Sequence, residues 1–148
     1  MSKVFQIGIA KLNNVKIEEV KSIEVVSGKG IAGDRYFHDF NDGRKQITLI
    51  EKENIDYYNK KNNLKIPYID FRRNVITEGI ELNELVGKKI KIGEVTLLAN
   101  DLCRPCKHLE EILNRSDIIK EFLRKGGLRC EILKSGKINL NETIETLV

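Results

Sequence analysis

The sequence contains no tryptophan and only two prolines, and aromatic residues make up 6% of the chain. Proteins that bind single-stranded nucleic acid commonly stack the bases on aromatic side chains. No stretch of this sequence interleaves aromatic and basic residues, so a small β-barrel that binds nucleic acid is the least favoured of the possible functions. The net charge of +4 is a mild excess without a basic tail, as on an ordinary solvated surface.

Long apolar runs are also missing from the chain. No run approaches the roughly 18 apolar residues of a membrane-spanning helix. The opening residues, MSKVFQIGIAKLNN, have neither the long apolar core nor the small-residue cleavage site of a signal peptide. We therefore expect a cytoplasmic protein with no membrane partner. Three cysteines are an odd number, which predicts free thiols rather than a disulfide framework.

The 148 residues fit one domain, residues 1–148. Short alternating apolar segments and tight turns predict a mainly β fold with a few short helices, closed into a barrel. No βαβ rhythm is visible, which disfavours Rossmann and thioredoxin folds. The first strand is expected to place Phe5, Ile7 and Ile9 on one face. The predicted core contains Phe5, Ile7, Ile9, Ile47, Leu49, Val75, Ile90, Ile92, Leu97 and Ile132.

Turn and helix signals divide the rest of the chain. A hairpin is predicted around Gly93-Glu94, and a second one over residues 128–147 with its turn at Ser135-Gly136. Helices are predicted over residues 52–62 and 109–127. The second helix should end at the glycine pair 126–127.

The segment NDLCRPCKHLEEIL, residues 100–113, contains Cys103 and Cys106 three positions apart. A redox pair would need this motif on a thioredoxin-like scaffold. A zinc site would need four ligands, for which Cys103, Cys106, His108 and Cys130 are the candidates. The spacing leaves both open, together with inert buried thiols, the favoured interpretation for Cys103 and Cys130.

A single reactive thiol is the further alternative, and it favours Cys106. The reactive form of cysteine is the thiolate, which neighbouring cations and a helix N-terminus stabilise. Arg104 and Lys107 flank Cys106, and a predicted helix follows it. These surroundings are typical of a sulfur nucleophile or of a soft-metal ligand.

Five segments, taken together and in order, resemble the MOSC domain, named for the C-terminal domain of molybdenum cofactor sulfurases. The family fold is a mainly β barrel. The segments are GIAGDRYF (30–37), RKQITLIE (44–51), FRRNVITEGIELNELVGKKIKIGEVTLLA (71–99), RPCKHLE (104–110) and KGGLRCEILKSGKI (125–138).

The resemblance implies particular site residues. The family's essential cysteine follows the proline of its PC element, which here is Cys106, the expected molybdenum ligand through the cofactor. The cofactor carries a phosphate, which suits backbone N–H groups and planar guanidinium groups. The expected cofactor-binding residues, which should share one cleft with Cys106, are Gly33, Asp34, Arg35, Arg72, Arg73, Asn74 and Arg104. Gln46 and Thr48 are also expected to line that pocket. Many members have a histidine soon after the GD element, where this chain has Arg35 and Tyr36.

Two functions follow from the resemblance. The first is a molybdenum cofactor-binding or sulfur-carrier protein, which uses Cys106 in cofactor maturation or delivery and has a cysteine desulfurase or a client molybdoenzyme as partner. The second is a molybdenum cofactor-dependent reductase of N-hydroxylated compounds.

Overall fold

Two β-sheets and a layer of helices make up the fold in the computed structural model, which describes residues 2–13 and 15–147. Eight strands form a large sheet in the order β11-β7-β8-β9-β5-β6-β1-β2, and three form a small sheet in the order β10-β3-β4. The strands are β1 (Lys3–Ile9), β2 (Glu18–Val20), β3 (Ser22–Val26), β4 (Gly30–Ile31), β5 (Ile47–Glu51), β6 (Val75–Glu78), β7 (Lys89–Ile92), β8 (Val95–Leu102), β9 (Leu128–Lys134), β10 (Gly136–Asn139) and β11 (Ile144–Leu147).

Three α-helices and two 3₁₀ turns connect the strands within the described ranges. The helices are α1 (Lys52–Asn62), α2 (Lys107–Leu113) and α3 (Ile118–Glu121), and the 3₁₀ turns span Tyr68–Phe71 and Leu82–Leu85. The predicted helix over residues 52–62 is confirmed, with Ile55 and Tyr58 buried. None of the helices in residues 2–13 and 15–147 combines the length and the apolar character that crossing a membrane requires.

The two faces of the large sheet carry two separate cores. The alternation of side chains along a strand sends Leu49 of β5 to one face and Ile50 to the other. The first core lies between the sheets and includes Leu49, Val75 and Ile138. The second core lies between the large sheet and the helices and includes Ile50 and Phe122. The sheet is therefore covered by strands on one side and by helices on the other.

The predicted core is largely confirmed, and the exception has a physical cause. Ile7, Ile47, Leu49, Val75, Ile90, Ile92, Leu97 and Ile132 are buried in the first core. A bulge in β1 between Val4 and Gln6 shifts the register against β6. Because an extra residue reverses the alternation, Phe5 packs on the second core while Ile7 belongs to the first and Ile9 packs against it. The prediction that all three share a face was wrong.

The predicted closed barrel does not form among residues 2–13 and 15–147, because β11 and β2 remain the edges of the large sheet. β1 nevertheless contacts the chain leading into β11: Val4 N–H donates to the Glu142 carbonyl at 2.9 Å. One βαβ unit is present, although no βαβ rhythm was visible in the sequence. β5 and β6 pair in parallel, and α1 lies in the connection between them.

Two further predictions fail near the C-terminus. β9 and β10 do not form a hairpin: β9 pairs with β8 and β5, whereas β10 pairs with β3 in the small sheet. The predicted helix over 109–127 is interrupted at Asn114, which has φ 54°. Asparagine tolerates this left-handed conformation better than most residues. The interruption turns the chain between α2 and α3 and leaves Ile112, Ile119 and Leu123 partly exposed.

Candidate functional site

A cleft of about 190 Å³ opens where the cysteine loop, residues 103–106, meets β5, β9 and the segments before β5 and β6. Six arginines and one lysine line it, and the described lining contains no aspartate or glutamate. Its lining residues are Arg35, Tyr36, Arg44, Lys45, Thr48, Arg72, Arg73, Asn74, Cys103, Arg104, Cys106, His108, Leu109 and Arg129. The cleft is therefore strongly cationic, and it contains an exposed thiol, that of Cys106.

Strand alternation places two of these residues. Leu128 and Cys130 of β9 are buried in the first core, so Arg129 between them points to the opposite face of the sheet. Arg129 pairs with Thr48 of β5 across the ladder. Both side chains therefore reach the cleft from the floor of the large sheet.

Arg35 is held in the cleft by its neighbour Asp34. The Asp34 carboxylate accepts hydrogen bonds from the Ala10 N–H, the Tyr36 N–H and Nη1 of Arg35, the last at 3.1 Å. The Arg35 side chain is only 7% exposed. Its Nε is buried and has no hydrogen-bond partner among the described atoms, which is costly unless a ligand accepts from it.

Gly33 and Asp34 are not among the residues that line the cleft, contrary to the sequence prediction. Gly33 has φ +85°, a conformation that favours glycine, and it turns the chain into Asp34. Because its carboxylate oxygens already accept three hydrogen bonds, Asp34 supports Arg35 from outside the cleft.

Arg72 has an unusual backbone and no carboxylate partner within the described residues. It ends the 3₁₀ turn at φ 65°, which is uncommon for a residue with a side chain. Its Nη1 donates to the Val15 carbonyl at 2.7 Å. Burial, and secondly the nearby charge of Arg35, lower the pKa of Arg72. The negative charge of a bound anion would counteract this lowering of the pKa of Arg72, because it favours the protonated guanidinium.

Arg73 and Asn74 connect different parts of the fold by hydrogen bonds. Nε of Arg73 donates to the Gly126 carbonyl at 2.9 Å, which joins the segment before β6 to the glycine pair. The buried Asn74 side chain accepts from the Thr48 N–H and hydroxyl and donates to the Gly8 carbonyl. Asn74 therefore holds β1 and β5 in place, although it also reaches the cleft wall.

Close backbone packing positions the cysteine loop. The Cys103 N–H donates to the Gly127 carbonyl at 2.7 Å, and Cys103 is 7% exposed. Cys106 occupies the position just before α2 and is exposed. The loop therefore buries one thiol and presents the other.

The alternatives to a single thiol find no support in the geometry. No three His, Cys, Asp or Glu side chains of residues 2–13 and 15–147 are grouped so that they could hold a metal ion, so the four candidate zinc ligands do not assemble. All three cysteines are free. The buried Cys130 is flanked in the sheet by Ile47 and Ala99, as expected of a small core residue.

The cleft residues that sequence reasoning missed are Tyr36, Arg44, Lys45, Leu109 and Arg129, together with His108, which was considered only as a zinc ligand. Arg44 and Lys45 stand at the start of the segment RKQITLIE, which the resemblance had already singled out. Thr48 lines the cleft as expected, but Gln46 does not. Its amide instead bonds to the Asn41 carbonyl and the Ile132 N–H.

Comparison with known proteins agrees over most of the chain. The MOSC domain matches residues 30–145. The structure is similar to the YuaD protein from Bacillus subtilis, with a TM-score of 0.85 and 20% identity over 99% of this chain and 96% of that one. It is also similar to YiiM from Geobacillus stearothermophilus, with a TM-score of 0.82 and 15% identity over 100% and 76% of the two chains.

A third similar structure is YiiM from Escherichia coli, with a TM-score of 0.70 and 17% identity over 99% of this chain and 68% of that one. No curated protein matches the sequence. The structural similarities concern the fold, whereas the match over residues 30–145 covers more than half of the 148 residues. By this match, the chain belongs to the MOSC domain family.

Proposed function

We propose that this protein binds molybdenum cofactor through Cys106 and the arginines of the cleft, and that it carries the cofactor or its sulfur during cofactor maturation or delivery. An exposed thiol shares one cleft with seven basic side chains and with no carboxylate of the described residues, and this combination supports the proposal. Such a cleft attracts an anionic ligand and presents a soft sulfur atom to it.

The residues present fit the chemistry of a phosphorylated cofactor. The buried Nε of Arg35 has no partner among the described atoms, so it is free to donate to a phosphate oxygen. In the described ranges Arg72 has no carboxylate partner, and the Arg73 side chain donates hydrogen bonds only to backbone carbonyls. Planar guanidinium groups bind phosphate in two-point contacts.

When bound, the cofactor supplies a molybdenum centre, for which a cysteine thiolate is a suitable soft ligand. The chain's own residues bind and orient it. Cys106 supplies the thiolate, Arg35 and Arg72 hold the anionic group, and Asn74 keeps the strands beneath them in register.

Sulfur transfer would use the same exposed thiol. The Cys106 thiolate attacks the outer sulfur of a persulfide on a cysteine desulfurase. A new sulfur–sulfur bond forms on Cys106, the donor's sulfur–sulfur bond breaks, and the donor leaves as a thiolate. The persulfide can then pass to a client molybdoenzyme or its cofactor. Reduction of N-hydroxylated compounds is the second candidate function. A larger groove beside the cleft supports it, because the groove offers space for a second reactant.

Purification of the protein from cells that synthesise the cofactor tests the proposal. We expect molybdenum and pterin to copurify with the wild type and with Cys103→Ser, and to be lost from Cys106→Ser while all three remain folded. Absence of both from the wild type, with no persulfide on Cys106 after incubation with a cysteine desulfurase, would refute the proposal. Equal losses from the two serine variants would indicate a dithiol site instead.

An assay for electron-donor-dependent reduction of a hydroxylamine separates the two candidate functions. Cofactor without turnover indicates a carrier, and cofactor with turnover that is lost in Cys106→Ser indicates a reductase.

A further inference from the structure

A second groove, larger than the arginine cleft, opens directly beside it. Its volume is about 550 Å³, within the range of about 300–1,000 Å³ typical of small-molecule sites. It is lined by Val15, Lys16, Ile17, Asp70, Arg72, His108, Glu111, Ile112 and Leu113. Arg72 and His108 line both cavities, so the two sites meet at these side chains.

The groove has an apolar body. Ile17 is buried at 3% exposure and belongs to the segment before β2. Val15 and Ile112 are 39% and 41% exposed, and Leu113 completes the apolar lining from α2. An apolar ligand in the groove would cover these two partly exposed aliphatic side chains. Because this removes apolar surface from water, it would stabilise the complex.

The groove and the cleft differ in the charges of their lining side chains. The described lining of the cleft contains seven Arg or Lys side chains and no carboxylate, whereas the groove contains both Asp70 and Glu111 together with Lys16 and Arg72. Neither carboxylate forms an ion pair within the described residues. The cleft therefore favours an anionic ligand. In the groove two carboxylates balance two basic side chains, which favours a neutral ligand or one whose amine reaches a carboxylate.

We propose that this groove binds the second reactant of the Cys106 site, a small neutral or amine-bearing molecule with an apolar body. A neutral polar end lies towards His108 and Arg72, where the groove meets the cleft, whereas an amine lies towards Asp70 or Glu111. The apolar part covers Ile17 and Ile112. The assignment of a reactant rests on the proposed function of the cleft, but the binding preference of the groove follows from its own lining. The cleft and the groove therefore prefer ligands of different charge.

Three compounds of similar shape and different charge test the groove: benzylamine, benzyl alcohol and phenylacetate. We expect the amine and the alcohol to shift the backbone amide NMR signals of Ile17, Ile112 and Leu113. Phenylacetate should bind the groove at least fivefold more weakly and should instead shift signals of cleft residues such as Thr48 and Arg129.

A matched pair of variants controls for surface effects. Ile112→Ser should weaken benzylamine binding at least fivefold, whereas Ile119→Ser, at a similarly exposed site of 39% outside the groove, should leave it within twofold. No shifts at the groove, equal binding of all three compounds there, or equal effects of the two variants would overturn the proposal. Shifts of the same amides with protein concentration alone would indicate a second copy in the groove and would also overturn it.

Inorganic phosphate serves as the separate probe of the cleft. If phosphate shifts the cleft signals but the amine and the alcohol leave the groove unchanged, the groove assignment is wrong and the cleft assignment stands. If benzylamine binds the groove and phosphate does not bind the cleft, the proposed cofactor site fails while the ligand preference of the groove stands.

Discussion

Gly126 lies so close to Cys103 that a β-carbon at position 126 would be 2.2 Å from the Cys103 carbonyl oxygen. Real β-carbons essentially never approach another heavy atom below 3.0 Å, so only glycine allows this contact. The same residue accepts the hydrogen bond from Arg73 Nε. One glycine thus positions both the cysteine loop and an arginine of the cleft.

Gly126→Ala is therefore expected to destabilise the protein by about 1–3 kcal/mol, as overpacking of a tight site usually does. The cysteine loop must move away, and the Arg73 contact should be lost with it. Urea unfolding measures the stability, and phosphate titration by NMR measures the cleft. Gly28→Ala is the control, because its φ is +77° but no described atom beyond its two chain neighbours lies within 4 Å of the added β-carbon. It should cost about 1–2 kcal/mol in backbone strain and leave phosphate binding unchanged; loss of phosphate binding in this variant would contradict the local explanation.

Thiol reactivity should distinguish the three cysteines. Cys106 is exposed, whereas Cys103 and Cys130 are buried. Iodoacetamide should therefore modify one site per folded chain, and mass spectrometry should locate it at Cys106. Denatured protein should carry three adducts, and folded Cys106→Ser should carry none over the same time. Rapid modification of Cys103 in the folded protein would show that its loop opens readily.

Alkaline pH should weaken the fold through Cys130. Burial, with a smaller contribution from nearby Cys103, raises the pKa of Cys130 from its ordinary 9.0 to about 12. Between these values the unfolded chain loses the thiol proton while the folded chain keeps it, so the stabilisation present below pH 9 declines by up to about 1.4 kcal/mol per pH unit.

A comparison with Cys130→Ala isolates this contribution from the titration of other groups. The wild type should be more stable than the variant at pH 8, because the substitution leaves a small cavity. Urea unfolding should show that this difference shrinks between pH 9 and pH 10.5. A constant difference over that range would mean that Cys130 does not carry the effect.

Anion binding should depend on Arg72 more than on Arg44. Arg72 has no carboxylate partner in the described ranges, whereas Arg44 forms an ion pair with Asp42 at the surface. Arg72→Gln is expected to raise the Kd for phosphate by about tenfold, the loss of one charge-assisted contact. Arg44→Gln should change it less than about twofold, as for an exposed ion-paired cation. Equal effects in an isothermal titration would indicate nonspecific attraction to the basic surface.

Local pattern was enough to predict much of the fold. Apolar periodicity and turn residues predicted helix α1 and the β7–β8 hairpin, because each depends on neighbours within a few residues of chain. The partner of β10 depends instead on contacts over more than 100 residues, between 136–139 and 22–26. A short apolar strand after Ser135-Gly136 is compatible with a local hairpin, so only the sheet packing determines its place.

The site was predictable to a similar extent. The motif match singled out Cys106 and the arginines at 72, 73 and 104, all of which line the cleft. Arg129 could be placed only after the register of β9 against β5 was known. Asp34 and Gln46 could not be separated from true lining residues, because both kinds are polar and only the observed hydrogen bonds show which carboxylate or amide is already engaged.

The pairing of β10 with β3 also has a consequence for synthesis of the chain. β3 is made early, but Ile138, which lies opposite Ile23, is more than 100 residues downstream. During translation, β3 therefore has one unpaired edge until residues 136–139 leave the ribosome. Long-range pairing of this kind slows folding and exposes strand edges to other nascent chains. Completion of the small sheet is thus a late event. Chains released before residue 136 would contain only β3 and β4 of this sheet.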